Sequence, residues 1–229
     1  NAPIALLSTN QPYATEQMWE GRSRYDIYTV NLQTGERQQI KKASNSNMQL
    51  SPKGTYAYWY CAQDSSWYTY SIGNGKEYRL TTPATFAAWD EDNDVPDFPS
   101  PHGLAGWTAD DRNILLYDRY DIWKFDPMAE VAPVNLTING RKEQLSYRLI
   151  QLDKEDKFID TKKSQLLLAF NEKTKGSGYY NASLSTPAVP KTLLAGNFML
   201  KTPVKAKNAD AVIYTSETFE QYPDIRLSD

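Results

Sequence analysis

Cysteine and histidine are almost absent from this sequence of 229 residues, which has one of each, Cys61 and His102. A single cysteine excludes an internal disulfide, cannot make a zinc site by itself, and leaves the redox compartment open. The formal net charge of only −3 gives no general attraction for phosphate backbones or anionic lipid, so we expect no nucleic-acid partner. The longest uncharged apolar runs, such as 166–170, fall far short of the ~20 residues of a membrane-spanning helix. We therefore expect no membrane span.

The sequence begins at Asn1 rather than at a methionine, and it shows no signal peptide. We expect a processed or trimmed product, a kind of product that can have lost an export signal.

The abundant residue types favour strands and turns. The chain has 16 Tyr, 6 Trp and 7 Phe together with 13 Pro and 11 Gly. Aromatic side chains suit pleated, half-buried strands, and Pro and Gly suit tight turns. Apolar residues recur at every second position rather than at every third or fourth, which predicts very little helix. With 40% hydrophobic and 23% charged residues, the composition is that of a folded globular chain.

A polar turn followed by an apolar strand recurs along the chain at intervals of roughly 50 residues, a period that suits propeller blades with insertions. The copies are Ser51–Gly54 before 55–62, Thr108–Asp111 before 113–119, Thr161–Ser164 before 165–172, and Lys207–Asp210 before 211–217.

An alternating aromatic strand forms a second repeated element. Its five copies are Tyr25–Val30, Trp67–Ile72, Asp121–Phe125, Gly178–Ala182 and Pro223–Leu227. Hairpin signals then precede a closing strand, as at Gln33–Glu36 and Gly73–Lys76.

Together the repeats predict an all-β fold: a partial β-propeller of repeated four-stranded antiparallel blades, with about four or five units and incomplete end units. One propeller fragment would span residues 1–229, with complete units at approximately 47–81, 85–137 and 144–195 and partial units at 1–43 and 198–229. The first partial unit is expected to lack its innermost strand and the last its outermost strand. Because an unclosed arc exposes sheet faces and edges, we expect a longer parent polypeptide.

Several stretches resemble a known family. They are Asp97–Trp107, Tyr117–Trp123, Val134–Thr137 and Tyr214–Asp224. These segments resemble the propeller of bacterial S9 serine peptidases, the relatives of prolyl oligopeptidase and dipeptidyl peptidase IV, and the last is similar to the end of that propeller before the hydrolase domain. The resemblance covers most of the chain and is strongest from about Trp89. It implies a periplasmic or secreted protein without a cofactor, whose partners are the α/β-hydrolase catalytic domain of the parent chain and a peptide substrate.

The catalytic motif of that family does not occur in these 229 residues. In the family, a Gly-x-Ser-x-Gly pentapeptide presents the nucleophile, and Asp and His follow it. The nearest imitation is Ser177, which is flanked by two glycines in a predicted turn where glycine serves backbone geometry. His102 lacks a nucleophile motif to serve and is predicted to be an ordinary loop residue. We therefore assign no catalytic residue.

An acidic run offers the best alternative chemistry. It consists of Asp90, Glu91, Asp92 and Asp94, with Asp97 beyond. Alternating carboxylates can bind calcium, but the run fails the EF-hand template, since Val95 replaces the turn glycine and Pro101 the bidentate glutamate. We predict a solvated loop and assign no metal.

The same carboxylates and His102 lie in a connection, Asp90–Gly103, that is longer than an ordinary turn. Three prolines stiffen it, and we expect them to deny it ladder hydrogen bonds, so that it projects from its blade. We predict that this loop faces a hydrolase domain or the substrate route, where its carboxylates meet basic groups. The alternative is a surface loop with no partner.

Two further groups are predicted to be structural. Asp118, Arg119 and Asp121 interrupt an aromatic segment and indicate a buried charged network that ties adjacent strands together. The tryptophans predicted to lie in the core between blades are Trp59, Trp89, Trp107 and Trp123.

Three classes of function remain open. The leading one is a non-catalytic β-propeller region of an S9-type serine peptidase, which gates or positions peptide substrates for an α/β-hydrolase domain not present in this chain. The alternative is a stand-alone TolB-like propeller that binds proteins or glycans. The third is an independent propeller enzyme such as a glycosidase, for which nothing singles out a carboxylate pair.

Overall fold

The computed structural model describes residues 3–209 and 211–228. Asp210, at the end of the fourth predicted turn, lies outside the described residues. The structure contains 44% strand and 6% helix, which confirms the predicted all-β class. The chain divides into two compact units. Unit 1 comprises Asn1–His102, Asp110–Asn113 and Phe125–Ala132, and unit 2 comprises Gly103–Ala109, Ile114–Lys124 and Pro133–Asp229.

Two antiparallel sheets form unit 1. The first has three strands in sequential order, β1 (Ile4–Thr9), β2 (Tyr25–Asn31) and β3 (Arg37–Ser44). The second has four strands in sequential order, β4 (Gln49–Leu50), β5 (Tyr56–Cys61), β6 (Ser66–Ser71) and β7 (Lys76–Arg79). A 3-10 turn (Gln11–Tyr13) and the one-turn helix α1 (Gln17–Glu20) interrupt the β1–β2 connection. The core of unit 1 contains Ala57, Trp59 and Tyr70, against which Leu6 and Ile40 of the first sheet pack.

Unit 2 contains three more sheets. Two are sequential, namely β8 (Leu104–Trp107), β9 (Ile114–Tyr117), β10 (Ile122–Phe125) and β11 (Val134–Asn135), then β12 (Leu145–Leu149), β13 (Ser164–Asn171), β14 (Ser177–Ser183) and β15 (Lys191–Gly196). The third contains β16 (Met199–Leu200), β17 (Val204–Lys205), β18 (Val212–Glu217) and β19 (Asp224–Ser228). The short helix α2 (Gly140–Glu143) precedes β12, and a 3-10 turn (Ala109–Asp111) lies between β8 and β9.

The last sheet has only three strand positions. β16 and β17 pair with successive parts of one edge of β18, at Met199–Glu217 and Val204–Ile213. β19 pairs along the other edge of β18. All five residues of β19 are exposed, and within the described part of the chain β19 pairs with β18 alone.

The predicted repeats correspond to paired strands. The turn Ser51–Gly54 links β4 to β5, and Thr108–Asp111 leads from β8 into β9, as predicted. The five aromatic segments lie in β2, β6, β10, β14 and β19. Two of the four tryptophans predicted to be core residues, Trp59 and Trp107, are buried, whereas Trp89 and Trp123 are partly exposed.

Cores on both faces of the β12–β15 sheet hold unit 2 together. On one face Leu115 and Ile122 pack with Tyr147, Leu167 and Tyr180. On the other face Ile150 and Tyr179 pack with Leu200 and Tyr214. Alternating side chains of β14 point to opposite faces, so Tyr179 and Tyr180 serve different cores.

Buried carboxylates fix the turns of unit 1. Asp111 is 1% exposed and accepts hydrogen bonds from the Ser51 hydroxyl at 2.5 Å, the Lys53 amide at 3.1 Å and the Thr55 amide at 3.2 Å. The preceding carboxylate, Asp110, stays near the surface and pairs with the Lys53 ammonium at 2.8 Å. One turn therefore holds another through a single buried side chain.

The predicted network around Asp118, Arg119 and Asp121 exists in unit 2, but these residues lie in the β9–β10 turn, so the expectation that they tie adjacent strands was wrong. Asp121 accepts hydrogen bonds from the Thr137 hydroxyl at 2.6 Å and the Gly140 amide at 2.9 Å. Arg119 makes two parallel hydrogen bonds to Glu172, at 3.0 and 2.9 Å. Backbone amides in turns lack the ladder partners that amides inside a strand have, so side-chain acceptors satisfy them instead. The network therefore joins connections between strands.

Across residues 3–209 and 211–228, the structure has no helix long and apolar enough to cross a membrane.

Candidate functional site

The predicted partner-facing loop of unit 1 is closed at its base. Trp89 and Pro101 form a β-bridge. The Asp90 amide donates to the Ser100 carbonyl at 2.7 Å, and the His102 amide donates to the Ala88 carbonyl at 2.9 Å. The expectation that prolines deny this segment ladder hydrogen bonds was therefore wrong at its base. Pro101 lacks an N–H, but the groups that close the stem belong to its two neighbours.

The six candidate residues of this loop do not converge on one point. Asp90 accepts a hydrogen bond from the Asp92 amide at 3.1 Å, and Asp97 accepts one from its neighbour Phe98 at 2.7 Å. Glu91 lies 3.8 Å from the His102 imidazole Nε2, and Asp94 is exposed. No group of three or more His, Cys, Asp or Glu side chains is placed to hold a metal ion anywhere in the described residues.

Asn93 organises the tip of the loop. Its side-chain amide donates to the Val95 carbonyl at 3.2 Å and to the Asp97 carbonyl at 3.1 Å. In the sequence this residue interrupts the acidic run and was not predicted to have a role of its own. An Asn inside a Pro-containing acidic loop was the available signal, because its short amide readily bonds nearby backbone.

Two neighbouring connections of unit 1 brace the loop. The Arg22 guanidinium pairs with Asp97 at 2.7 Å and lies 4.8 Å from the centroid of the Phe98 ring. The Tyr60 hydroxyl donates to the Pro99 carbonyl at 3.1 Å. Sequence reasoning missed these contacts, since Arg22 and Asp97 are 75 residues apart and no local pattern links them.

A second candidate site lies entirely within unit 2. It is an open cavity of about 780 Å³. Its wall contains parts of edge strands from three successive sheets, with Ala105–Trp107 from β8, Leu149 from β12 and Lys205 from β17. The long β12–β13 connection supplies most of the remaining wall.

The cavity combines an apolar floor with charges of both signs. Trp107, Ile150 and Ile159 are buried side chains of the wall. The charged residues of the wall are Asp153, Glu155, Asp156, Asp160, Lys157, Lys163, Lys205 and Lys207. A wall that carries both carboxylates and ammonium groups suits a small ligand with charges of both signs.

Gly106 keeps part of this wall close-packed. Its φ of +147° lies in a region that side chains rarely adopt, and a Cβ there would lie 2.8 Å from the Ile159 side chain. Ile159 also donates its amide to the Trp107 carbonyl at 2.8 Å, so the β12–β13 connection is attached to β8. Sequence reasoning missed the cavity, although the length of the segment between Leu149 and Ser164 was a visible signal.

Ser177 does not have the setting of a nucleophile. Its side chain is nearly buried, donates to the Phe198 carbonyl at 2.9 Å and accepts from the Leu200 amide at 2.6 Å. A Cβ on Gly176 would lie 2.1 Å from the Gly196 carbonyl oxygen, and one on Gly178 would lie 2.8 Å from Ala195. The two glycines allow the backbone around Ser177 to lie close to residues 195 and 196. This is the backbone role that was predicted for them.

No protein-family model matches the sequence, and no curated protein matches it either. Comparison with solved structures does find similar folds. Dipeptidyl peptidase 4 of Porphyromonas gingivalis is 13% identical with a TM-score of 0.54, over 90% of this chain and 34% of that one. An acylaminoacyl peptidase of Pyrococcus horikoshii is 10% identical (TM-score 0.49), over 99% of this chain and 36% of that one. TolB of Acinetobacter baumannii is 10% identical (TM-score 0.45), over 99% of this chain and 50% of that one.

This chain therefore spans about a third of the length of the dipeptidyl peptidase 4 structure. At this identity the similarity concerns the fold alone. Five antiparallel sheets, joined in sequence and similar to propeller domains, make this chain a partial β-propeller.

Proposed function

We propose that this chain is the non-catalytic β-propeller region of an S9-type serine peptidase, in which it gates or positions peptide substrates for an α/β-hydrolase domain of the parent polypeptide. The parent acts in the periplasm or outside the cell, where short peptides are available as substrates. The resemblance of several segments to that family supports the proposal, and so does the similarity in fold to P. gingivalis dipeptidyl peptidase 4.

The observation that carries the proposal is the unit 2 cavity. A short peptide has an ammonium group at one end, a carboxylate at the other and amides between them. The cavity wall offers carboxylates, ammonium groups and the apolar floor of Trp107 and Ile150 within one enclosure. These groups can hold a peptide for a separate catalytic domain, since the Gly-x-Ser-x-Gly motif of the family does not occur in these 229 residues.

The acidic loop contributes to the same function in unit 1. Its braced carboxylates, Asp90 to Asp97, face the hydrolase domain or the substrate route and attract the basic groups of a peptide. Binding surfaces typically contain loop residues that are held in place by contacts with a rigid scaffold.

Peptide turnover by the full-length parent tests the cavity. We expect Lys157→Glu combined with Lys207→Glu to lower kcat/KM about fivefold or more for peptides with a free C-terminus, because the variant repels the terminal carboxylate. Hydrolysis of a small non-peptide ester should stay unchanged. Lys173→Glu combined with Lys191→Glu, two exposed changes of the same total charge outside the cavity, is the matched control. Equal losses in the variant and the control, or none in either, would contradict the proposal.

Loop shortening tests the unit 1 contribution separately. Replacing residues 91–99 with Gly-Ser keeps the paired stem and removes four of the five carboxylates, leaving Asp90. We expect altered turnover or altered selectivity for peptide length in the full-length parent. Unchanged turnover and unchanged size selectivity would show a surface loop without a partner.

The coding sequence of the parent separates this function from a stand-alone TolB-like scaffold. A downstream Gly-x-Ser-x-Gly followed by Asp and His supports the peptidase. A stop codon directly after Asp229 would support the scaffold instead.

A further inference from the structure

The β1–β2 connection of unit 1 is much longer than its counterparts. It runs from Asn10 to Arg24. The first unit is expected to lack its innermost strand, so β1 and β2 correspond to the second and third strands of the other sheets. In those sheets the same connection covers only residues 62–65, 118–121, 172–176 and 218–223. The extra residues form the 3-10 turn and α1, so the insertion is a built structure of its own.

This insertion presents two large apolar side chains to solvent. Met18 is 87% exposed and Trp19 is 89% exposed, both on α1. A single exposed apolar residue is ordinary, but two adjacent ones of this size at the tip of an insertion indicate a contact surface. Trp is also the residue type most enriched among side chains that dominate binding energy.

The tip is fixed to the body of unit 1. The Tyr13 hydroxyl donates to the buried Asp26 at 2.6 Å, and Arg24 bonds Glu20 at 2.6 Å. Gly21 ends α1 in the left-handed conformation, with φ of 65°. Such bracing lowers the entropy lost when the tip binds a partner.

Arg22 joins the tip to the acidic loop, because it pairs with Asp97 and stacks on Phe98. Phe98 and Val95 are 43% and 57% exposed and extend the apolar part of the surface. We call this combination the Trp19 surface: Met18, Trp19, Val95 and Phe98, with the surrounding carboxylates Glu16, Glu20, Asp90, Glu91, Asp92, Asp94 and Asp97.

The Trp19 surface has a strong excess of negative charge. The insertion and the acidic loop carry seven carboxylates beside these apolar residues in the sequence, and both arginines of the insertion already pair with three of them. The charge pattern therefore selects a partner whose apolar patch is bordered by lysine or arginine. An anionic lipid surface would be repelled by the same carboxylates.

We propose that the Trp19 surface is a docking site for a protein segment in which an apolar patch is flanked by basic side chains. Trp19 and Met18 make the apolar contact. The carboxylates of loop 90–97 orient the basic partner segment and raise its association rate. The inference rests on the proposed function only in treating that loop as facing a partner. It is tested on the isolated chain without any peptidase assay, so the two can fail separately.

Titration with defined peptides tests the site. The probe is an acetylated, amidated, fluorescein-labelled peptide of sequence Leu-Lys-Leu-Leu-Lys-Lys-Leu-Leu, with a Glu-for-Lys version as its acidic counterpart. We expect the basic peptide to bind, more weakly as salt rises, and the acidic one not to bind. Trp19→Ala should weaken binding about tenfold or more.

Charge-matched variants show whether the effect is local. Asp90→Asn, Asp92→Asn and Asp94→Asn together should weaken binding about tenfold. Glu36→Gln, Glu143→Gln and Glu220→Gln together, at exposed positions outside both the Trp19 surface and the unit 2 cavity, should change it less than twofold. Equal effects of the two triple variants would overturn the proposal, as would full binding by Trp19→Ala or no binding by the unaltered chain. A blue shift of tryptophan emission on phosphatidylcholine vesicles that Trp19→Phe abolishes would assign the tip to lipid instead and also overturn it. Far-ultraviolet circular dichroism checks that each variant is folded.

Discussion

Single buried carboxylates hold several connections between strands in place. Asp111, Asp121 and Asp26 are each at most 6% exposed, and each accepts hydrogen bonds from connections between strands. A buried acceptor that serves several donors is costly to remove, since every donor then loses its partner without regaining water.

The neighbours Asp110 and Asp111 provide a matched test of this idea. Both adopt left-handed φ values, 60° and 54°, so replacing either with Ala adds the same backbone strain. We expect Asp111→Ala to lower the free energy of unfolding by about 3 kcal/mol, because three donors become unsatisfied. Asp110→Ala should have a much smaller effect, as its ion pair is exposed. Urea denaturation measures both, and similar losses would show that strain rather than hydrogen bonding dominates.

The pair of Tyr13 and Asp26 makes stability depend on pH. The hydrogen bond from Tyr13 is the largest cause that holds the pKa of Asp26 below its ordinary 3.8, and the bond from the Ala43 amide is the next. A lowered pKa in the folded state stabilises the protein above the unfolded value, and this contribution is lost as pH falls through the folded value.

Tyr13→Phe should therefore lower Tm above about pH 5, and the difference from the unaltered chain should shrink as the pH drops below 3.8. Thermal melts between pH 2 and 7 measure the effect, with the exposed Tyr222→Phe as control. A difference that stays constant down to pH 2 would rule out the ionised Asp26 as its source.

At the residue scale, burial could be predicted from sequence where charged side chains interrupt an aromatic segment. Charged Asp118 and Asp121 amid aromatic residues indicated burial, and both are buried. The partners of Asp121 were not predictable, because its donors at Thr137 and Gly140 lie beyond the next two strands. Hydrogen bonds between distant turns leave no periodic trace in sequence.

At the scale of the strand and the turn, most pairings were predictable. Turn residues such as Gly35 and Gly75 need positive φ, with values of 72° and 69°, and so mark hairpins in sequence. The alternating aromatic segments then place the strands. What failed was the loop at 90–103, since proline content predicts missing donors but not which neighbouring amides close a stem.

Close approach of strands in the β12–β15 sheet depends on glycine. We expect Gly176→Ala to destabilise the protein by about 2 kcal/mol or more, because the new Cβ would meet the Gly196 carbonyl oxygen at 2.1 Å. Gly73→Ala is the matched change in a turn with open space around it and should be neutral or slightly stabilising. Thermal unfolding distinguishes them, and equal Tm values for the two variants would contradict the packing argument.

At the scale of the whole molecule, repeat spacing predicted the fold class, whereas the candidate site was predicted only in part. The acidic loop is visible in sequence because its residues are nearly consecutive, and its role as a partner-facing surface stays a prediction. The unit 2 cavity was missed because its wall draws on Gly106, Leu149 and Lys205, which only the stacking of sheets brings together. Sequence patterns predict elements more readily than the spaces between them.

The chain on its own should show no serine peptidase activity. The hydroxyl of Ser177 is occupied as both donor and acceptor, and its side chain is 5% exposed. We expect a fluorophosphonate probe to leave the isolated chain unlabelled, with a known serine peptidase as positive control. Stoichiometric labelling of any serine, mapped by mass spectrometry, would contradict this expectation.

The exposed strand β19 has a consequence for handling the isolated chain. Its outer edge offers backbone donors and acceptors, and Ile225 and Leu227 are 77% and 71% exposed. An open edge with apolar side chains is a template on which a second unpaired strand can add, and then a third. We therefore expect solutions of the isolated chain to turn cloudy sooner as its concentration rises, which light scattering measures.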